Sequence, residues 1–88
     1  MKAVRYHQCG DANVLRWEET PDPVPGADEI LIKVEAAGVN YADLMRRSGR
    51  YHFKTDFPAM LGTEAAGIVL ECGGDITGVR NGDRVFCR

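Results

Sequence analysis

Turn signals break this chain every ten residues or so, and the runs between them leave room for short strands and for one short helix only. Gly10-Asp11, the proline tract, Ser48-Gly49, Gly73-Gly74 and Asn81-Gly82 are the breaks. Residues 3–7 are rich in Val and aromatic character, and residues 14–19 read VLRWEE, so the two form a hairpin around Gly10-Asp11. In TPDPVPGADE three prolines within five residues rule out helix and strand ladder alike, which makes a stiff, extended connector. Residues 29–37 are the clearest strand, with Ile30, Ile32, Val34 and Ala36 on one face against Lys33 and Glu35.

Residues 40–47 are the one helical candidate, with Tyr41, Leu44 and Met45 at helix spacing and Ser48-Gly49 as the stop. Asn40 is a favourable N-cap, and Asp43 at the third helical position completes a capping box. Residues 50–60 lack a period, contain Pro58 and read as a loop. Residues 64–72 form a strand whose Ala and Gly mark a close approach of backbones, and residues 84–87 form the last strand. The fold class is therefore mainly β, a small, partly open barrel with one short helix.

With 88 residues the chain is one small domain, able to bury only about 60 to 65% of its unfolded surface. Hydrophobic residues at 44% suffice for a core, and charged residues at 27% with both signs mixed suit a soluble surface. A net charge of −2 offers no basic stripe, so neither nucleic acid nor membrane is an expected partner. No apolar run reaches transmembrane length, and Lys2, Arg5, His7 and Gln8 interrupt any signal-peptide core, so a cytoplasmic location is expected. Cys9, Cys72 and Cys87 are odd in number and scattered, which fits reduced thiols better than a disulfide framework or a zinc knuckle.

Several stretches carry a family resemblance: AAGVNYADLMRRSGRY at residues 36–51, LGTEAAGIV at 61–69, the opening MKAVRYHQCGDANVLRWEETPDPVPGADEILIKV, and GVRNGDRVF at 78–86. Together they resemble the N-terminal, GroES-like domain of zinc-independent medium-chain dehydrogenase/reductases, the quinone oxidoreductase (zeta-crystallin-like) branch. The resemblance implies a GroES-like barrel over residues 1–88 acting as the substrate-side domain of a two-domain enzyme. Its Rossmann domain, which mainly holds NADPH, is absent from this chain. Neither Gly73-Gly74 nor residues 62–67 open a helix-length segment, as a dinucleotide-binding turn must.

In zinc-dependent relatives the positions matching Asn40 and Thr63 are a metal-binding Cys and His. An amide and a hydroxyl do not replace a thiolate and an imidazole around Zn²⁺, so no zinc is expected. The resemblance implies NAD(P)H-dependent hydride transfer to a small quinone or enone, with Asn40 and Tyr51 catalytic. Tyr41, Asp43, Met45, Thr63 and Glu64 complete the substrate and cofactor cleft. A Tyr found on the helix in some members is Met45 here.

Plainer readings stand beside these. Asn40 and Asp43 are explained by capping, Tyr51 by covering the core after a helix stop, Thr63 by starting a strand and Glu64 by a structural carboxylate. His7 and His52 read as surface or packing residues, and Arg46, Arg47 and Arg50 as a solvated helix face or a contact for an acidic group. A second class of function is also open. A stand-alone barrel with an exposed apolar cleft wall is a binding or assembly module, and its partner can be a second copy, giving a homodimer.

Overall fold

A computed structural model of the chain describes residues 1–52 and 54–88. Its strands are β1 (Lys2–Tyr6), β2 (Leu15–Glu19), β3 (Ile30–Ala37), β4 (Ala59–Met60), β5 (Ala65–Cys72) and β6 (Arg84–Cys87), with one α-helix, α1 (Tyr41–Ser48). The mainly β class with a single short helix is borne out. The strands form two three-stranded sheets, ordered β2-β1-β4 and β3-β5-β6, and neither closes on itself. Among the described residues no helix is long and apolar enough to cross a membrane.

The chain divides into two compact units, each made of two segments. Met1–Pro21 and Val39–Gly62 form the first, which holds β1, β2, β4 and α1. Here β1 and β2 pair antiparallel without a slip, from Lys2 opposite Glu19 to Tyr6 opposite Leu15, as the hairpin reading expects. The connection carries a single 3-10 turn, Ala12–Val14, begun by the Asp11 side chain accepting from the Asn13 N–H. Residues 50–60 are not wholly loop: Ala59 and Met60 pair with Tyr6 and Arg5 of β1. Two residues are too few to show alternation in sequence. Residue 53 of that stretch lies outside the described residues.

The helix ends where the Ser48-Gly49 signal places it. Gly49 takes the left-handed φ of 85°, and its N–H and that of Arg50 donate to the carbonyls of Arg46 and Met45 at 3.3 and 2.9 Å. This closes the last turn as a Schellman motif. Its apolar face is another matter, because Tyr41 is 74% exposed and Leu44 is 44% exposed, while the buried residue of α1 is Asp43. Nor are Arg46 and Arg47 a freely solvated face. Both are half-buried, Arg47 exchanges hydrogen bonds with Gly10 in both directions (2.9 and 3.3 Å), and the Cys9 thiol donates to the Arg46 carbonyl.

Asp22–Gly38 and Thr63–Arg88 form the second unit, with β5 in the middle of its sheet. The expected one-sided pattern of β3 does not hold, since Val34 is 56% exposed and the pairing with β5 shifts register between Leu31 and Ile32 and again between Val34 and Ala36. Each irregularity turns the following side chains to the other face, which a strict period of two cannot anticipate. The close backbone approach read from the Ala and Gly of β5 is present at Gly67. A Cβ there would run into the Lys33 carbonyl oxygen. In the NGDR segment the Asp83 carboxylate accepts from the Arg80 N–H at 2.9 Å and Gly82 takes φ 92°, a turn that feeds β6 back along β5.

Two predictions follow from this packing. Gly67→Ala must push β3 away from β5 and is expected to lose about 2 to 3 kcal/mol in denaturant unfolding, whereas Gly74→Ala, with nothing within 4 Å of the added carbon, changes little. On the hairpin, Glu18 accepts from His7 Nε2 at 2.6 Å and from Arg5 Nε at 2.8 Å. First the His7 hydrogen bond and then the Arg5 guanidinium hold the Glu18 carboxyl below its ordinary value of 4.5. The stability this adds is complete above that ordinary value and is lost as pH falls through the lower folded one. The melting-temperature gap between the parent chain and Glu18→Gln should therefore narrow on acidification below pH 4.5; a gap that stays constant to low pH would contradict it.

Candidate active site

Asn40 sits at the N-cap of α1 in extended conformation, φ −114° and ψ 163°, and is half-buried. Asn40 is still extended while Tyr41 already begins the helix. The Asn40 N–H donates to Asp43 Oδ2 at 2.9 Å, and the Asp43 N–H donates to the Asn40 carbonyl at 3.0 Å. Asp43 reaches a second segment as well. Its Oδ1 accepts from the Gly62 N–H at 3.0 Å, and the carboxylate is 3% exposed. The capping role read from NYAD is thus present, joined by a tie that local spacing does not reveal.

The remaining candidates in the first unit fall into two hollows. Tyr41 and Met45 line one of about 230 Å³ with Leu44, Arg47 and Ser48. Tyr51, half-buried, lines another of about 470 Å³ with Arg46, Thr55, Asp56 and Met60. Its ring lies 4.7 Å from that of His52, centroid to centroid. Methionines stand in both hollows, which suits a flat, polarisable ligand.

Thr63 and Glu64 belong to the second unit. Thr63 is exposed and precedes the strand, which starts at Ala65. Glu64 is half-buried and lies directly on Gly38: a Cβ on Gly38 would overlap its Oε1. Glu64, but not Thr63, lines a hollow of about 450 Å³ whose other walls include Ala36, Ala65, Ala66 and Phe86. Gly38 in AAGV leaves the room that the Glu64 side chain occupies, a pairing 26 positions apart along the chain that no local motif carries.

Sequence reasoning passed over one further group. The Tyr6 ring is fully buried edge-on against Phe57, centroids 5.5 Å apart, and its hydroxyl has no hydrogen-bond partner among the described residues. His7 stands at the surface, as read from the sequence, and pairs there with Glu18. Among the described residues no group of three or more His, Cys, Asp or Glu side chains gathers in a way that could hold a metal ion. The chemistry on hand is that of neutral donors, an amide and a phenol, the phenol in a hollow that also carries Arg46, Lys54 and Asp56.

Comparison with known proteins places this geometry. The family model described as the alcohol dehydrogenase GroES-like domain matches residues 26–88. The quinone oxidoreductase of Mus musculus is 39% identical over 88 residues, covering 99% of this chain and 27% of its own length. The acryloyl-coenzyme A reductase of Sulfurisphaera tokodaii is 43% identical over 77 residues, covering 88% of this chain and 23% of its own length. Escherichia coli quinone oxidoreductase, solved in complex with NADPH, superposes with a TM-score of 0.91 at 35% identity, covering 98% of this chain and 26% of that one. The chain thus spans about a quarter of the length of the relatives it matches. These relatives are oxidoreductases, and the resemblance read from the 36–51 and 61–69 stretches holds in both sequence and fold: the chain belongs to the alcohol dehydrogenase GroES-like domain family, on the quinone oxidoreductase side of the medium-chain dehydrogenase/reductases.

Proposed function

We propose that this chain is the substrate-side domain of a zinc-free, NADPH-dependent oxidoreductase that passes a hydride to a quinone or an activated alkene. The observation that carries the reading is the match, along nearly the whole chain, to quinone oxidoreductases, one of them solved with NADPH. The nucleotide is held mainly by a Rossmann domain of the same protein, in line with relatives about four times as long as the matched stretch. The reading puts the enzyme in the cytoplasm.

The donor set fits such a cofactor and acceptor. NADPH, when bound, supplies the hydride. Asn40 offers an amide that donates and accepts, suited to orienting a carboxamide at the mouth of the helix. Tyr51 offers a phenolic O–H to the acceptor oxygen as negative charge grows on it. Tyr41 and Met45 wall one hollow, and Met60 shares another with Tyr51 and the charged Arg46, Lys54 and Asp56. At Asn40 and Thr63, where zinc-dependent relatives bring thiolate and imidazole, this chain brings an amide and a hydroxyl, so the site is read as zinc-free.

A second reading is favoured by one observation, the apolar side chains left open on this chain, with Phe86 86% and Trp17 66% exposed. Such side chains suit association with a second copy, as homodimer or binding module. Sedimentation separates the two, since a concentration-independent monomer argues against it.

The full-length protein carrying this domain is the test object, assayed for NADPH oxidation with quinones and enones. Asn40→Ser keeps a good N-cap and removes the amide, so kcat should fall about ten- to a hundredfold while the melting temperature stays put. Absence of NADPH oxidation with every quinone and enone tried would sink the reading.

A further inference from the structure

The hydride chemistry just described has no use for the most buried charge in the first unit. Asp43 is 3% exposed and has no arginine, lysine or histidine partner among the described residues. Removing a carboxylate from water is costly unless its oxygens are hydrogen-bonded. Here two backbone N–H groups share them, Asn40 on Oδ2 at 2.9 Å and Gly62 on Oδ1 at 3.0 Å. Capping α1 needs only the first of these bonds and no burial.

Gly62 supplies a second observation. It holds φ 109°, a conformation that side chains on L residues rarely adopt, yet nothing lies within 4 Å of where a Cβ would stand. Glycine is required there by the backbone angle and not by space. That backbone presents its N–H to Asp43. The bend and the carboxylate are two halves of one device, joining segments 19 residues apart.

We propose that Asp43 is the positioning residue of the candidate active site. Its carboxylate locks the Asn40 backbone to the Gly62 backbone and thereby fixes the direction in which the Asn40 amide points. Asp43 touches no substrate in this scheme and acts through Asn40. The role in catalysis rests on the function proposed above; the tie between the two backbones does not.

The tie is read on the unaltered 88-residue chain. In labelled protein, through-hydrogen-bond couplings should connect the Asn40 and Gly62 amide nitrogens to the Asp43 carboxyl carbon. A folded chain without the Gly62 coupling overturns the proposal, whatever any variant does. Asp43→Asn puts an N–H₂ in place of one oxygen, so hydrogen exchange should quicken at Asn40 or Gly62 while amides of β3 and β5 keep their rates.

The catalytic half is read in the full-length protein. Asp43→Asn should lower kcat about tenfold or more with the KM for NADPH changed less than about twofold, and in an Asn40→Ser background it should cost less than about twofold further. Fully additive losses overturn the positioning role, because Asp43 would then act independently of Asn40. If the unaltered protein oxidises no NADPH, the proposed function fails and takes the catalytic role with it, while the couplings still decide the tie.

Discussion

Few of the described side chains are wholly withdrawn from water, and the fold rests on how backbones meet. Among the described residues, the apolar side chains that are fully buried are Tyr6 and Val69. A domain of this size buries a modest share of its surface at best. Backbone pairing has to do what a large core does elsewhere, and it can do so only where strands come close. Gly67 lets β5 settle against the Lys33 carbonyl of β3, and Gly73 does the same against the carbonyls of Gly26 and Ala27, with its own N–H donating to Glu29 at 2.7 Å. In both places a side chain would hold the backbones apart.

Polar groups take over a further share of the work. Arg5 lays its guanidinium along β2, donating to Glu18, Thr20 and the Glu19 carbonyl. Asp43 and Asp83 use carboxylates to hold backbone N–H groups at the start of a helix and in a tight turn. Charge-assisted bonds of this kind are stronger than neutral ones and directional, so each fixes a local geometry that apolar contact alone leaves loose. In the proposed reading this matters for function, because the residue that offers the amide donor is itself one end of such a bond.

The chemistry that follows is one of placement. In the proposed reading, neutral donors at Asn40 and Tyr51 and a helix opening directly after Asn40 suit a reaction in which donor and acceptor must be aligned and a growing oxygen charge met. Relatives several times longer than this stretch bear the names quinone oxidoreductase and acryloyl-coenzyme A reductase.

Local features were legible in the sequence: the hairpin, the proline connector, the helix stop at Gly49, the last strand at residues 84–87 and the capping relation of Asn40 to Asp43. Each depends on neighbours within a few positions, and turn and capping chemistry act over that range. The family itself could be read from motif order along the chain. What only the tertiary structure decided were the relations between distant segments. Register shifts put Val34 in the open, a two-residue strand arose at Ala59 because β1 offered it an edge, and α1 buried its aspartate instead of its apolar stripe. Glu64 came to rest on Gly38, and Gly62 came to Asp43. Periodicity describes one element against an average surface, whereas these pairings depend on which particular backbone arrives opposite, and that is settled only when the whole chain packs.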